Sequence, residues 1–268
     1  MDTRRKQKIE KVTKPYMKGA MTDRTTLPGA LKFFFATVAM TLAFLVIGVM
    51  MNWDNQALSI LFNGTIILGT WVIFQQIGAT AGADAVNQGE IMLARQEKGR
   101  PVADWEARLC YHPMKGMISA LIGAAPLVLL SLVLACIAQR QVSNLGSLPS
   151  WLSSVESRPE IGAPLAYYHD AGSLSLEGIL RLIVRMSTMP YVNMVGAADK
   201  DAMLLLERVS PLLNVMPAIA YGLGYMSGTS IRSAVHTNIA LGKKKAKRRQ
   251  AKERRSRQQV RRGPEQLN

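Results

Sequence analysis

Residues 116–139 read GMISALIGAAPLVLLSLVLACIAQ, 24 positions without a charge. A hydrocarbon core of about 30 Å takes about 20 helical residues, and a helix satisfies its own backbone hydrogen bonds where no water can. Length alone therefore makes this stretch a membrane-spanning helix. Moving outward, three more uncharged runs of the same kind appear, residues 33–53, 55–83 and 209–231, of 21, 29 and 23 positions. Together they predict an all-α integral membrane protein: a bundle of about four transmembrane helices near 33–53, 57–78, 116–138 and 209–230, with interfacial helices and basic disordered tails.

The average composition, 49% hydrophobic and 19% charged, hides this because the charges are segregated. Of the net +15, residues 1–32 hold nine Lys/Arg against three acids, and residues 243–262 hold twelve against Glu253 alone. The basic character belongs to two ends of the chain, a cytoplasmic N-terminal segment 1–30 and a disordered polybasic tail 241–268, flanking a membrane domain 31–240. The N-terminal segment does not read as a cleaved signal, since its polar stretch is long and the first apolar run is full span length.

Lys and Arg near span ends favour the cytoplasm. Both ends of the chain then lie on the cytoplasmic side, which four spans allow, and a plasma membrane is the expected setting. The first hairpin turn, residues 52–56, has no Lys or Arg and falls outside. Loop 84–115, with Arg95, Lys98, Arg100, Arg108 and Lys115, falls inside, and residues 140–207 fall outside. Trp53, Trp151, Tyr167 and Tyr168 suit the outer headgroup layer. Within 140–207, Ser150 caps a short helix that Arg158-Pro159 stops.

Residues 175–198 are apolar but carry Arg181 and Arg185 at i, i+4 and then Pro190. The spacing predicts a helix in the outer interface, or a re-entrant segment, with both guanidinium groups at headgroup level or lining a groove. A fifth span would send the basic tail to the wrong side.

From Asp84 the second span is expected to run on as helix until Gly99 and Pro101 stop it, and a second helix, capped by Asp104 and ended by Pro113, follows. Asp104 and Arg108 are spaced for an ion pair, and Trp105, Leu109 and His112 share a side. Arg95, Arg100, Trp105 and Arg108 form the expected docking surface for a cytoplasmic protein; the alternative is that this face packs on the protein's own spans or on the lipid surface.

No chemistry-bearing motif emerges. His112, His169 and His236 fall in different segments without metal-site spacing, Cys110 beside His112 makes a weak thiol site, and phosphate-loop and Gly-x-Ser-x-Gly patterns are absent. The expectation is a non-enzymatic protein with no cofactor and no metal. The small-residue ridges Ala220, Gly224 and Gly228, Gly78 with Gly82, and Ser119 with Gly123 suit close packing of helices, within the chain first.

The tail, with Lys243, Lys244, Lys245, Lys247, Arg248, Arg249, Arg254 and Arg255, has no aromatic residue to stack bases, so its attraction is to phosphate. Anionic lipid headgroups fit, and so does ribosomal or other RNA. The reading is thus a multi-pass scaffold, accessory subunit or permease component with a cytoplasmic docking loop. The alternative is a ribosome-associated factor for membrane-protein insertion or assembly, held by the tail.

Overall fold

The computed structural model describes residues 11–50, 55–139, 176–195 and 199–261. Trp53, Trp151, Tyr167, Tyr168, His169 and the helix expected after Ser150 lie outside them. Among the described residues the chain is 84% helical with no strand, and four helices are long and apolar enough to cross a membrane. The helices are α1 (Thr26–Met50), α2 (Gln56–Glu97), α3 (Asp104–Arg108), α4 (Lys115–Ile137), α5 (Leu176–Ser187), α6 (Met189–Val195), α7 (Lys200–Met226) and α8 (Gly228–Arg261). All four expected spans are there.

The chain divides into two compact units. The first comprises Met1–Thr26, Gln75–Ile118 and Tyr221–Asn268, the second Leu27–Phe74 and Ser119–Ala220.

In the first unit, α2 continues well past its apolar part. Its 42 residues span about 63 Å, twice a hydrocarbon core, and it ends as expected just before Gly99, whose φ of 73° is one that glycine adopts freely. Two of the small-residue ridges meet: a Cβ at Gly78 would strike the Tyr221 carbonyl, and one at Gly224 would strike the Gln75 carbonyl. These positions are glycine because the two backbones touch. Beside them the Tyr111 ring stacks on Tyr225 at 5.5 Å between centroids, Tyr16 meets Tyr111 edge-on, and the Tyr111 hydroxyl donates to the Met226 carbonyl.

Several expectations need correction here. The N-terminal segment, expected to be disordered, is pinned from residue 12 onward: Met17 N–H donates to Gly89 O, Gly19 to Tyr111 O and Ala20 to Arg108 O, while Val12 N–H donates to Thr237 Oγ1. Its backbone groups need partners, and these supply them. The short helix α3 is capped by Ala103, not Asp104, because the Glu106 carboxylate reaches back to the Ala103 N–H at 3.3 Å. It stops at Arg108 rather than at Pro113. The tail expected to be disordered continues α8 to Arg261, since Ala, Lys, Arg and Gln are good helix formers and the helix is already started at Gly228.

In the second unit the third ridge works between α1 and α4. Gly29 lies against Ser119, and Gly123 lies against Ala30 and Phe33. The Phe33 and Phe74 rings meet at 5.4 Å, and Leu134, Ala138 and Val184 form a buried cluster.

Segment 175–198 is two helices of 12 and 7 residues, each too short to cross. They turn at Thr188. Its N–H and Oγ1 both go to Val184 O and close α5, while its carbonyl accepts from Tyr191 and Val192 N–H and opens α6. Pro190 sits in that first turn, where no N–H is needed. The far ends of the two arms are fixed to span ends: Arg181 donates to Gln139 O just beyond α4, and Asn193 O accepts from Ser59 Oγ near the start of α2.

Candidate functional site

In the first unit a groove of about 820 Å³ is lined by Asp23, Arg24, Asp104, Trp105, Arg108 and Leu109. Two of the four expected docking residues, Trp105 and Arg108, therefore share one wall. Trp105 is 59% exposed, a large aromatic surface left open to the surroundings. Arg95 is exposed and lies 3.9 Å from Glu106, and Arg100 is exposed beyond the Gly99 turn, outside the groove lining. The ion pair expected between Asp104 and Arg108 gives way to this Arg95–Glu106 contact. Leu109 and His112 are half-buried, so the side expected to be shared with Trp105 is only partly open.

Behind the groove, Lys115 Nζ donates to Asp23 Oδ2 at 2.6 Å and to Leu109 O, and both charged groups are buried. Burial by itself raises the Asp23 carboxyl; the hydrogen bonds from Lys115 and Thr25 and the Lys115 charge outweigh it and hold it below its ordinary value. This pair ties the chain before α1 to the start of α4. Cys110, a weak thiol site by sequence, is fully buried, and burial pushes its thiol up, away from nucleophile behaviour.

A second cluster sits on the extension of α2. The Glu90 carboxylate accepts from Arg232 Nε at 3.2 Å and lies 2.7 Å from His236 Nε2, and Arg232 also donates to Asn87 Oδ1. Burial raises the Glu90 carboxyl, but the hydrogen bonds from His236 and Arg232 and their charges outweigh it and lower it. His236 thus has a structural partner that sequence spacing did not reveal.

In the second unit Arg181 and Arg185, expected at headgroup level or lining a groove, meet at one carboxylate. Both turn inward to Glu207 on α7, a carboxylate only 3% exposed: Arg185 donates from Nε and from an NH2 nitrogen, and Arg181 Nε lies 2.9 Å away without hydrogen-bond alignment. Arg181 also pairs with Glu177. The opposite side of α5 presents Leu176, at 74% exposure, with Ile179, Leu182 and Ile183. The two faces of α5 thus differ, charged groups turned to Glu207 and apolar groups away from it, and a buried charge is stable only when paired.

One turn further on, α7 buries Ser210 and Asn214 on the side that carries Glu207. Asn214 helps line a small cavity of about 60 Å³ with Ser187 and Thr188 at the turn between α5 and α6, and with Phe44, Trp71 and Tyr191. The sequence carries a signal for this face that spacing could have found: Glu207, Ser210 and Asn214 recur at helical intervals along α7.

The tail residues Lys243, Lys244, Lys245, Lys247, Arg248, Arg249, Arg254 and Arg255 all lie exposed on α8. No protein-family model matches the chain, and no match was found among curated proteins or solved structures.

Proposed function

We propose that this is a multi-pass integral membrane protein that works by holding a partner rather than by catalysis: a scaffold, accessory subunit or permease component whose loop 84–115 is the cytoplasmic docking element. The observation that carries this reading is the open Trp105 beside Arg24 and Arg108 in the groove. Trp and Arg are the residues that most often dominate binding energy at protein interfaces, and an indole left open in a loop rimmed by guanidinium groups suits a partner with an acidic rim. Both termini are cytoplasmic in this reading, the membrane is the plasma membrane, and residues 140–207 face outward.

Charge reversal at Arg95, Arg100 and Arg108 combined with Trp105→Ala should remove a protein that copurifies with the intact chain. An unchanged copurifying set eliminates the loop as the docking element. Single cysteines at positions 155 and 196 should react with a membrane-impermeant reagent from outside; protection at either one breaks the topology.

A second reading rests on α8. Its basic residues stand exposed along a helix, a form suited to phosphate of anionic lipid or of RNA. A ribosome-associated insertion factor would cosediment with ribosomes at physiological salt and lose that property when the chain ends at Gly242. Binding lost at modest salt assigns the helix to lipid.

A further inference from the structure

The turn between α5 and α6 places a polar floor far along the apolar helices of the second unit. Asn193, on the rising arm, is fixed at Ser59, whereas the turn itself borders Thr70 and Trp71. Eleven or twelve residues of α2 separate those levels, roughly 16 Å, or about half the thickness of a hydrocarbon core. At that level Asn214 is 7% exposed, and its Nδ2 has no hydrogen-bond partner among the described residues. Its Oδ1 lies 3.1 Å from Ser187 Oγ, which has a single proton and the Val184 carbonyl as a competing acceptor. A buried amide left with unused donors costs free energy unless something accepts from it. The cavity it faces has walls of Phe44, Trp71 and Tyr191 and no charged side chain in its lining.

From this geometry we infer that the cavity at the α5–α6 turn is a binding site for a neutral, mainly apolar molecule that presents one hydrogen-bond acceptor, a carbonyl or hydroxyl oxygen, to Asn214. The apolar walls take the body of the ligand, and the amide fixes its polar end. An ionised ligand is excluded, because no countercharge lines the cavity and none can be supplied by water at that depth. The site is independent of the Trp105 groove, so its fate and that of the docking reading are separable.

The acceptor can come from a free solute or from the ester carbonyl of a lipid, and one experiment separates them. The full-length protein is placed in nanodiscs of diester or of diether phosphatidylcholine. Binding of diethyl ketone, of the alkene in which a methylene group replaces its carbonyl oxygen, and of diethylacetate is followed by saturation-transfer NMR, with empty nanodiscs subtracted. The ketone should bind about fivefold more tightly than the alkene, and the carboxylate not at all. Asn214→Leu should abolish the preference for the ketone, while Thr65→Val, outside the cavity and with its hydroxyl spent on the Leu61 carbonyl, should preserve it. Weaker ketone binding in diester than in diether discs identifies a lipid ester as the resident ligand; equal binding identifies a free solute. Equal binding of ketone and alkene by the unaltered protein overturns the assignment, whether or not Asn214→Leu folds. A ketone preference that survives in Asn214→Leu overturns it as well.

Discussion

Glu90 and Glu207 each hold two basic side chains spaced i, i+4 on another helix, Arg232 and His236 on α8 for the first and Arg181 and Arg185 on α5 for the second. The surroundings differ. Around Glu90 one partner is an imidazole, and the carboxylate side chain is 11% exposed against 3% for Glu207. Around Glu207 both partners are guanidinium groups, which stay charged, and the outward side of α5 is apolar. The same motif is therefore a relaxed clasp in one unit and an obligatory one in the other.

That contrast can be broken by experiment. Glu207→Gln takes the buried carboxylate from Arg185 and leaves Arg181 with only the Glu177 carboxylate, and should cost about 3–5 kcal/mol, read as a large drop in thermal unfolding temperature in detergent or as failure to accumulate. Glu90→Gln should cost less, about 1–2 kcal/mol, because the Glu90 side chain is the less buried of the two, 11% exposed against 3%. A cost for Glu90→Gln equal to that for Glu207→Gln would erase the distinction.

Acid sharpens the comparison further. The Glu90 and Asp23 carboxyls are both lowered in the folded protein, so their contribution is present above their ordinary values of 4.5 and 3.8 and is lost as pH falls through the folded values. Unfolding followed from pH 7 downward should show stability declining only below that range. Glu90→Gln should remove part of the decline and leave the Asp23 part. Smallest of all, ending the chain at Gly242 should change stability by no more than about 0.5 kcal/mol, since the side chains of residues 243–257 are exposed; a larger loss in the unfolding temperature would mean that α8 beyond Gly242 is packed.

The four spans were legible because hydrocarbon imposes one rule on composition over about 20 residues. The glycine ridges were legible for a related reason, since a small residue every fourth position has few uses other than close approach. The end of α2 could be read from Gly99. Pairings between distant segments could not. Arg181 and Arg185 look the same in sequence whether they face headgroups or a carboxylate, and Glu207 stood just outside the apolar run that drew attention. Asn214 was visible as a polar residue in a span, but the cavity it faces depends on how α5 and α6 turn at Thr188. The tail was misjudged because charge density was weighed above helix propensity, although a helix already started needs little to continue.

The continuation of α8 has a mechanical side. Its 34 residues make a rod of about 51 Å that follows α7 after the single residue Ser227. Tilting such a rod by ten degrees at its base carries the side chain of Arg257 through roughly 8 Å. Anything that held the far end would therefore act on α7 with a long lever, and a small change in the angle of that helix would be written large at the tip.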